Sequence, residues 1–128
     1  MNFKDPTGTY PNTFPTKDIV QDKMKTLGFD VNDKIILYEQ PMKIGATRGF
    51  WVLHAWGFKQ VFVLDGGILA WKKAGFETEP GIISKDKPIR IMPSDISLDS
   101  SRLVFIDELT EDIRGSKKFV IVDNRPSG

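Results

Sequence analysis

Lys34-Ile-Ile-Leu-Tyr38 and Val61-Phe-Val-Leu-Asp-Gly-Gly-Ile-Leu-Ala-Trp71 decide the fold of this chain. Each begins with an apolar run too short for a helix and suited to a strand covered on both faces inside a parallel sheet. After the first run, Glu39-Gln-Pro-Met-Lys-Ile-Gly45 forms a loop, and Ala46 to Trp56 has helical patterning that stops at Gly57. After the second, Asp65-Gly66-Gly67 turns the chain into a short helix over Ile68 to Ala74, closed by Gly75. Strand, loop and helix repeat in the order of right-handed parallel crossovers, which predicts an α/β fold with a mainly parallel sheet.

Residues 1–15 carry Pro6, Gly8, Pro11 and Pro15 with no helical or strand period, and read as a surface loop. Thr16 is placed to cap a helix whose apolar face is Ile19, Met24 and Leu27 and whose stop is Gly28. From Phe76 to about Ser100 the composition turns to Pro, Ser, Lys and Asp, the signature of a linker. Arg102 to Ile106 is a short apolar piece, Asp107 can cap a brief helix through Ile113, and Phe119 to Val122 reads as a further strand ending in Asp123-Asn-Arg-Pro-Ser-Gly128.

With 128 residues, 40% of them hydrophobic and 27% charged, the chain is long enough for one core and has an ordinary globular composition. Its 18 basic and 17 acidic side chains are spread evenly, which gives no basic stripe for a phosphate backbone, so no nucleic acid partner is expected. No apolar run approaches the ~20 residues that span a bilayer, and the N-terminus has no signal-peptide core, so a soluble protein is expected. The absence of cysteine excludes disulfides and thiolate ligands, and the single histidine has no metal constellation to join; neither metal nor cofactor is expected.

The order of these pieces resembles the rhodanese family, in particular its tandem-domain thiosulfate and mercaptopyruvate sulfurtransferases. The resemblance is carried by Leu27-Gly28-Phe29, Asn32-Asp33-Lys34-Ile35-Ile36-Leu37-Tyr38, Thr47-Arg48, Trp51 and Gly57, by Leu64-Asp-Gly-Gly with Trp71 and Gly75, and by Phe119-Val-Ile-Val-Asp-Asn-Arg125. It implies a three-layer rhodanese-like fold, either incomplete or circularly permuted. Residues 1–78 would be the late part of a noncatalytic domain, 79–101 a linker, and 102–128 the opening strand, helix and strand of a second repeat. In the permuted arrangement Phe119 to Val122 would pair beside Ile35 to Leu37, and Arg102 to Phe105 would add an edge beside Val61 to Leu64. The opening strand of the family's first domain, with its Asp-x-Arg element, and the catalytic half of its second domain have no match here, which leaves a natural remnant, a truncated gene model and a fragment as the readings.

The resemblance also implies where chemistry would sit. A persulfide-forming cysteine lies in a cradle of N–H groups at a helix N-terminus, and Glu39 occupies that position here. A carboxylate cannot carry a transferable sulfane sulfur, so the chain alone is expected to be inactive, a noncatalytic binding or structural module. The alternative is a fragment of an active two-domain sulfurtransferase.

Lys43 and Arg48 flank the start of the helix from Ala46 and are candidates for weak sulfate or phosphate binding, with packing or ion pairing as the stronger reading of Arg48. Asp123 and Arg125 resemble a pair that supports the site loop. His54 reads as a partly buried structural residue, and Trp51, Trp56 and Trp71 with their phenylalanine neighbours read as core. Asp65-Gly66-Gly67 lacks the second aspartate of a phosphatase site and the G-x-G-x-x-G spacing of a nucleotide loop, so turn geometry accounts for it. A protein partner or a homodimer is expected, in the cytoplasm or the mitochondrion.

Overall fold

The computed structural model describes residues 4–8, 10, 12–41, 45–79, 96–116 and 119–123. Helix α1, Lys17–Leu27, presents Val20 and Met24 to the interior and ends where Gly28 takes φ 71°, its N–H bonding to Met24 O at 2.8 Å. Thr16 stands at the N-cap in extended geometry, though its side chain makes no capping bond. Strand β1, Ile35–Leu37, runs parallel to β2, Val61–Val63, with Ile35 opposite Val61, Ile36 opposite Phe62 and Leu37 opposite Val63. The pairing is extended at both ends, by the Ile35 N–H on Gln60 O and the Leu64 N–H on Leu37 O, each 2.8 Å.

Helix α2, Gly45–Ala55, makes the crossover and packs on both strands. Its buried Val52 and Leu53 meet Val20 and Met24 of α1, together with Phe58, Val61 and Ile96, in one core. Helix α3, Gly67–Lys73, follows β2 directly because Gly66 and Gly67 adopt φ 70° and 55°, a left-handed turn that few other residues tolerate.

Residues 96–105 are fastened to the C-terminal part of α2. The Asp99 N–H bonds to Ala55 O at 2.8 Å, and Trp51 Nε1 donates to Arg102 O at 3.2 Å. The edge strand expected at Arg102 to Phe105 is not formed. Asp99 accepts bonds from the Ser101 N–H and hydroxyl and from Arg102 Nε, which tightens Ser100–Arg102 into a 3-10 turn, and helix α4, Ile106–Glu111, begins soon after. The Ser101 hydroxyl bond is the main reason that the Asp99 carboxyl titrates below its ordinary range. A π-helical turn, Asp112–Ser116, continues α4, and buried Asp112 accepts the Phe119 N–H at 3.2 Å.

Three further expectations require correction. Among the described residues the sheet has two strands, so the permuted closure in which 119–122 lies beside β1 is not formed; those residues are held through Asp112 and stand exposed. Among the described residues the core packs on one face of the sheet. Ile35 and Leu37 pack on the core, while Ile36 and Phe62, pointing the other way by strand alternation, stay largely exposed. Of the three tryptophans only Trp56 is buried, because Trp51 and Trp71 turn their indole N–H groups outward to the carbonyls of Arg102 and Glu77. The greater part of the predicted linker lies outside the described residues.

Candidate functional site

Parallel strands bring their following loops together at the carboxyl edge of the sheet, the place where α/β proteins usually hold ligands. Here that edge carries a crevice of about 300 Å³ between the loop after β1 and the turn after β2, lined by Glu39, Gln40, Pro41, Leu64, Asp65 and Gly67 among others.

Glu39 organises the crevice twice. Its side-chain Oε2 accepts the Ala46 N–H at 3.0 Å, placing a carboxylate on the N-terminal turn of α2, where unsatisfied amides and the helix dipole favour negative charge. Its backbone carbonyl accepts the Ile68 N–H at 3.2 Å in the first turn of α3. This second contact requires close approach, since a Cβ at Gly67 would come within 2.6 Å of the same carbonyl oxygen. One residue thus joins both strand-helix units. Among the described residues the charged lining of the crevice is acidic, Glu39 and Asp65. It can hold a helix end and accept hydrogen bonds.

Replacing Glu39 by Ala leaves the Ala46 N–H without its carboxylate. The expected loss is about 1 kcal/mol of unfolding free energy, the usual value of a helix cap, with a smaller loss for Glu39→Gln, whose amide oxygen still accepts. Urea denaturation of the two variants beside the parent chain measures both. Equal stability of all three would show that the contact contributes nothing.

The two anion-binding candidates are not brought together by anything described. Arg48 turns away from the crevice: its Nη2 donates to Asn12 O at 2.8 Å and Thr13 O at 3.1 Å, and its guanidinium lies 5.9 Å from the Trp51 ring centroid. Partial burial lowers its pKa from the ordinary arginine value. The residue ties the N-terminal loop to α2. Lys43 and Arg125 lie outside the described residues, and Asp123 is on the exposed segment that follows Phe119.

His54 is half-buried on α2 with its ring 5.3 Å from that of Phe50, as a structural histidine would be. No group of three or more potential metal ligands occurs among the described residues, and no described helix is long and apolar enough to cross a membrane. Sequence reading missed the backbone role of Glu39. The available signal was the paired glycine at 66 and 67, which marks a place where another backbone comes close.

A parallel crossover pair whose loops meet at the carboxyl edge over a helix N-terminus defines an α/β protein with a candidate site at that edge. Within that class the chain belongs to the rhodanese-like domain family, whose model matches residues 2–74. It is similar to the thiosulfate sulfurtransferase of Gallus gallus, 29% identical over 98% of this chain and 42% of that protein. It is also similar to the mitochondrial thiosulfate/3-mercaptopyruvate sulfurtransferase 1 of Arabidopsis thaliana, 29% identical over 60% of this chain and 20% of that protein. Among solved structures, SseA of Escherichia coli, described as a 3-mercaptopyruvate sulfotransferase with the rhodanese fold, superposes with a TM-score of 0.76 at 20% identity, over 89% of this chain and 42% of that one. The chain therefore spans less than half the length of these proteins.

Proposed function

We propose that this chain is a noncatalytic rhodanese-like module, a binding or structural unit that does not itself transfer sulfur. The observation that carries the reading is the placement of Glu39. The amide at the start of α2, part of the cradle that would hold a thiolate or persulfide, is occupied by the chain's own carboxylate at 3.0 Å, and the sequence contains no cysteine to take its place. Covalent sulfur transfer needs a nucleophile that becomes a persulfide and gives the sulfur up again, and no side chain here can do both. In this reading residues 1–78 form the noncatalytic unit, 79–101 the linker and 102–128 the opening of a second repeat, so that the module would support a cysteine-bearing domain.

The test is thiocyanate production by the purified 128-residue chain from thiosulfate and cyanide, and by the same chain with mercaptopyruvate as donor. The expected rate equals that of the protein-free blank. Turnover proportional to protein concentration, surviving repurification, would overturn the proposal.

A second reading is favoured by one observation: similarity to the Gallus gallus enzyme continues through the linker to cover 98% of this chain. Such continuity suits a fragment of an active two-domain sulfurtransferase. An in-frame Cys codon within a Gly-rich stretch downstream of Gly128 would decide for the fragment, and a stop codon for the module.

A further inference from the structure

One side of α2 receives two segments that are far apart in the sequence. Arg48, Trp51 and Ala55 follow one another at steps of three and four residues, which places them along the same side of the helix. The N-terminal loop docks at the first two. Arg48 Nη2 holds the carbonyls of Asn12 and Thr13, and the next residue, Phe14, meets the Trp51 ring edge-on, 5.0 Å between centroids with an interplanar angle of 69°. Segment 99–102 docks at the last two. The Asp99 N–H bonds to Ala55 O at 2.8 Å, and Trp51 Nε1 donates to Arg102 O at 3.2 Å. Trp51 thus touches both segments, the loop with its ring and the 3-10 turn with its N–H.

These two contacts depend on each other. Trp51 is 36% exposed, so the core does not lock its indole; Phe14 and the Arg48 guanidinium, 5.9 Å from the ring centroid, set the plane of the ring. An indole has a single donor, which lies in that plane, so turning the ring takes Nε1 off the Arg102 carbonyl. The carbonyl is in turn presented by the turn that Asp99 caps through Ser101. Ordering a side chain has an entropic cost, and a second contact made by a side chain already ordered does not incur it again.

We propose that Trp51 is a coupling residue through which the N-terminal loop and segment 99–102 attach to α2, and leave it, as a cooperative pair. Whatever lifts the loop from Trp51 then loosens the far end of the linker as well. The inference goes beyond the sulfur chemistry, and its readouts are independent of any turnover.

Hydrogen exchange of the full 128-residue chain tests it, because local opening is reported amide by amide. Phe14→Ala is expected to speed exchange at the Asp99 amide and at the Trp51 indole N–H by roughly threefold or more beyond any change at the Leu64 amide, which is bonded within the sheet. Phe14 also stacks on buried Trp56 at 6.2 Å, so Arg48→Met, which releases the loop without removing that ring, serves as a second variant and decides alone if Phe14→Ala does not fold. Trp51→Phe keeps a ring beside Phe14 but has no donor. With it in place, Phe14→Ala and Arg48→Met should no longer change the Asp99 amide relative to Leu64. Equal acceleration at Asp99 and Leu64 in the loop variants would overturn the proposal, since the effect would then be a general loss of stability. So would a selective acceleration at Asp99 that persists undiminished beside Trp51→Phe, because the coupling would then run through the core instead.

Discussion

Phe58→Ala is expected to lower the unfolding free energy by about 3–5 kcal/mol, the range for removing a buried phenylalanine without refilling the space. The residue is 1% exposed and lies where α2 hands the chain to β2. Its ring belongs to the cluster of Val20, Met24, Val52 and Leu53, with Phe29 tilted against it at 6.1 Å between centroids. The cavity would open between α1, α2 and the sheet, beside Ile96 of the segment fastened to α2. For a domain whose whole stability is about 5–15 kcal/mol, such a loss is a large fraction. Urea titration should show a midpoint shifted down with little change in slope, or a chain that no longer unfolds cooperatively. Phe58→Leu, which keeps most of the volume, should lose clearly less. A loss below about 1 kcal/mol for Phe58→Ala would mean that the core does not close around this ring.

The second large effect is expected at Gly67. Two costs add in Gly67→Ala: φ is +55°, where a Cβ costs roughly 1–2 kcal/mol, and that Cβ would stand 2.6 Å from the Glu39 carbonyl oxygen. The Cβ is fixed to the main chain and the carbonyl is backbone, so relief requires α3 to move off the loop and weakens the hydrogen bond from Ile68, worth about 0.5–1.5 kcal/mol. The combined loss is about 1.5–3.5 kcal/mol. Gly75→Ala provides the comparison, because Gly75 also has positive φ, +84°, but open space around its Cβ position. It should show only the conformational cost. The difference between the two variants isolates the contact between the loop and the helix, and hydrogen exchange at the Ile68 amide should speed up in the first alone. Equal losses would remove the contact from the account.

The parts of the fold that could be read in advance are those where short-range patterning and burial agree. Ile35 to Leu37 and Val61 to Val63 are apolar, brief and bounded by turn residues, and they are the two strands. Gly28, Gly57, Gly66 and Gly75 stand where helices or turns end, each at positive φ. The C-terminal part misled because Leu103, Val104 and Phe105 look like a strand taken alone, while the decisive interaction is a side-chain cap by Asp99 a few residues earlier. The same holds for Phe119 to Val122, where composition gives the preference for extended structure and only the tether at Asp112 says where the segment lies.

At the site, the position of Glu39 was visible by resemblance, but its partners were not. An acceptor on Ala46 and a carbonyl under Ile68 are facts of loop closure, and sequence spacing does not encode them. Arg48 shows the converse: its charge suggested an anion, and its geometry sends it to two backbone carbonyls in the N-terminal loop.

The two attachments made by Glu39 belong to different parts of the residue. The bond to α3 comes from the main chain and would persist whatever side chain were present; only the bond to α2 depends on the carboxylate. Architecture and reactivity at this position are thus separable. A mutation here could exchange a capping group for a reactive one while the neighbouring helix keeps its anchor, so the scaffold could gain or lose a nucleophile at the modest energetic cost of one helix cap.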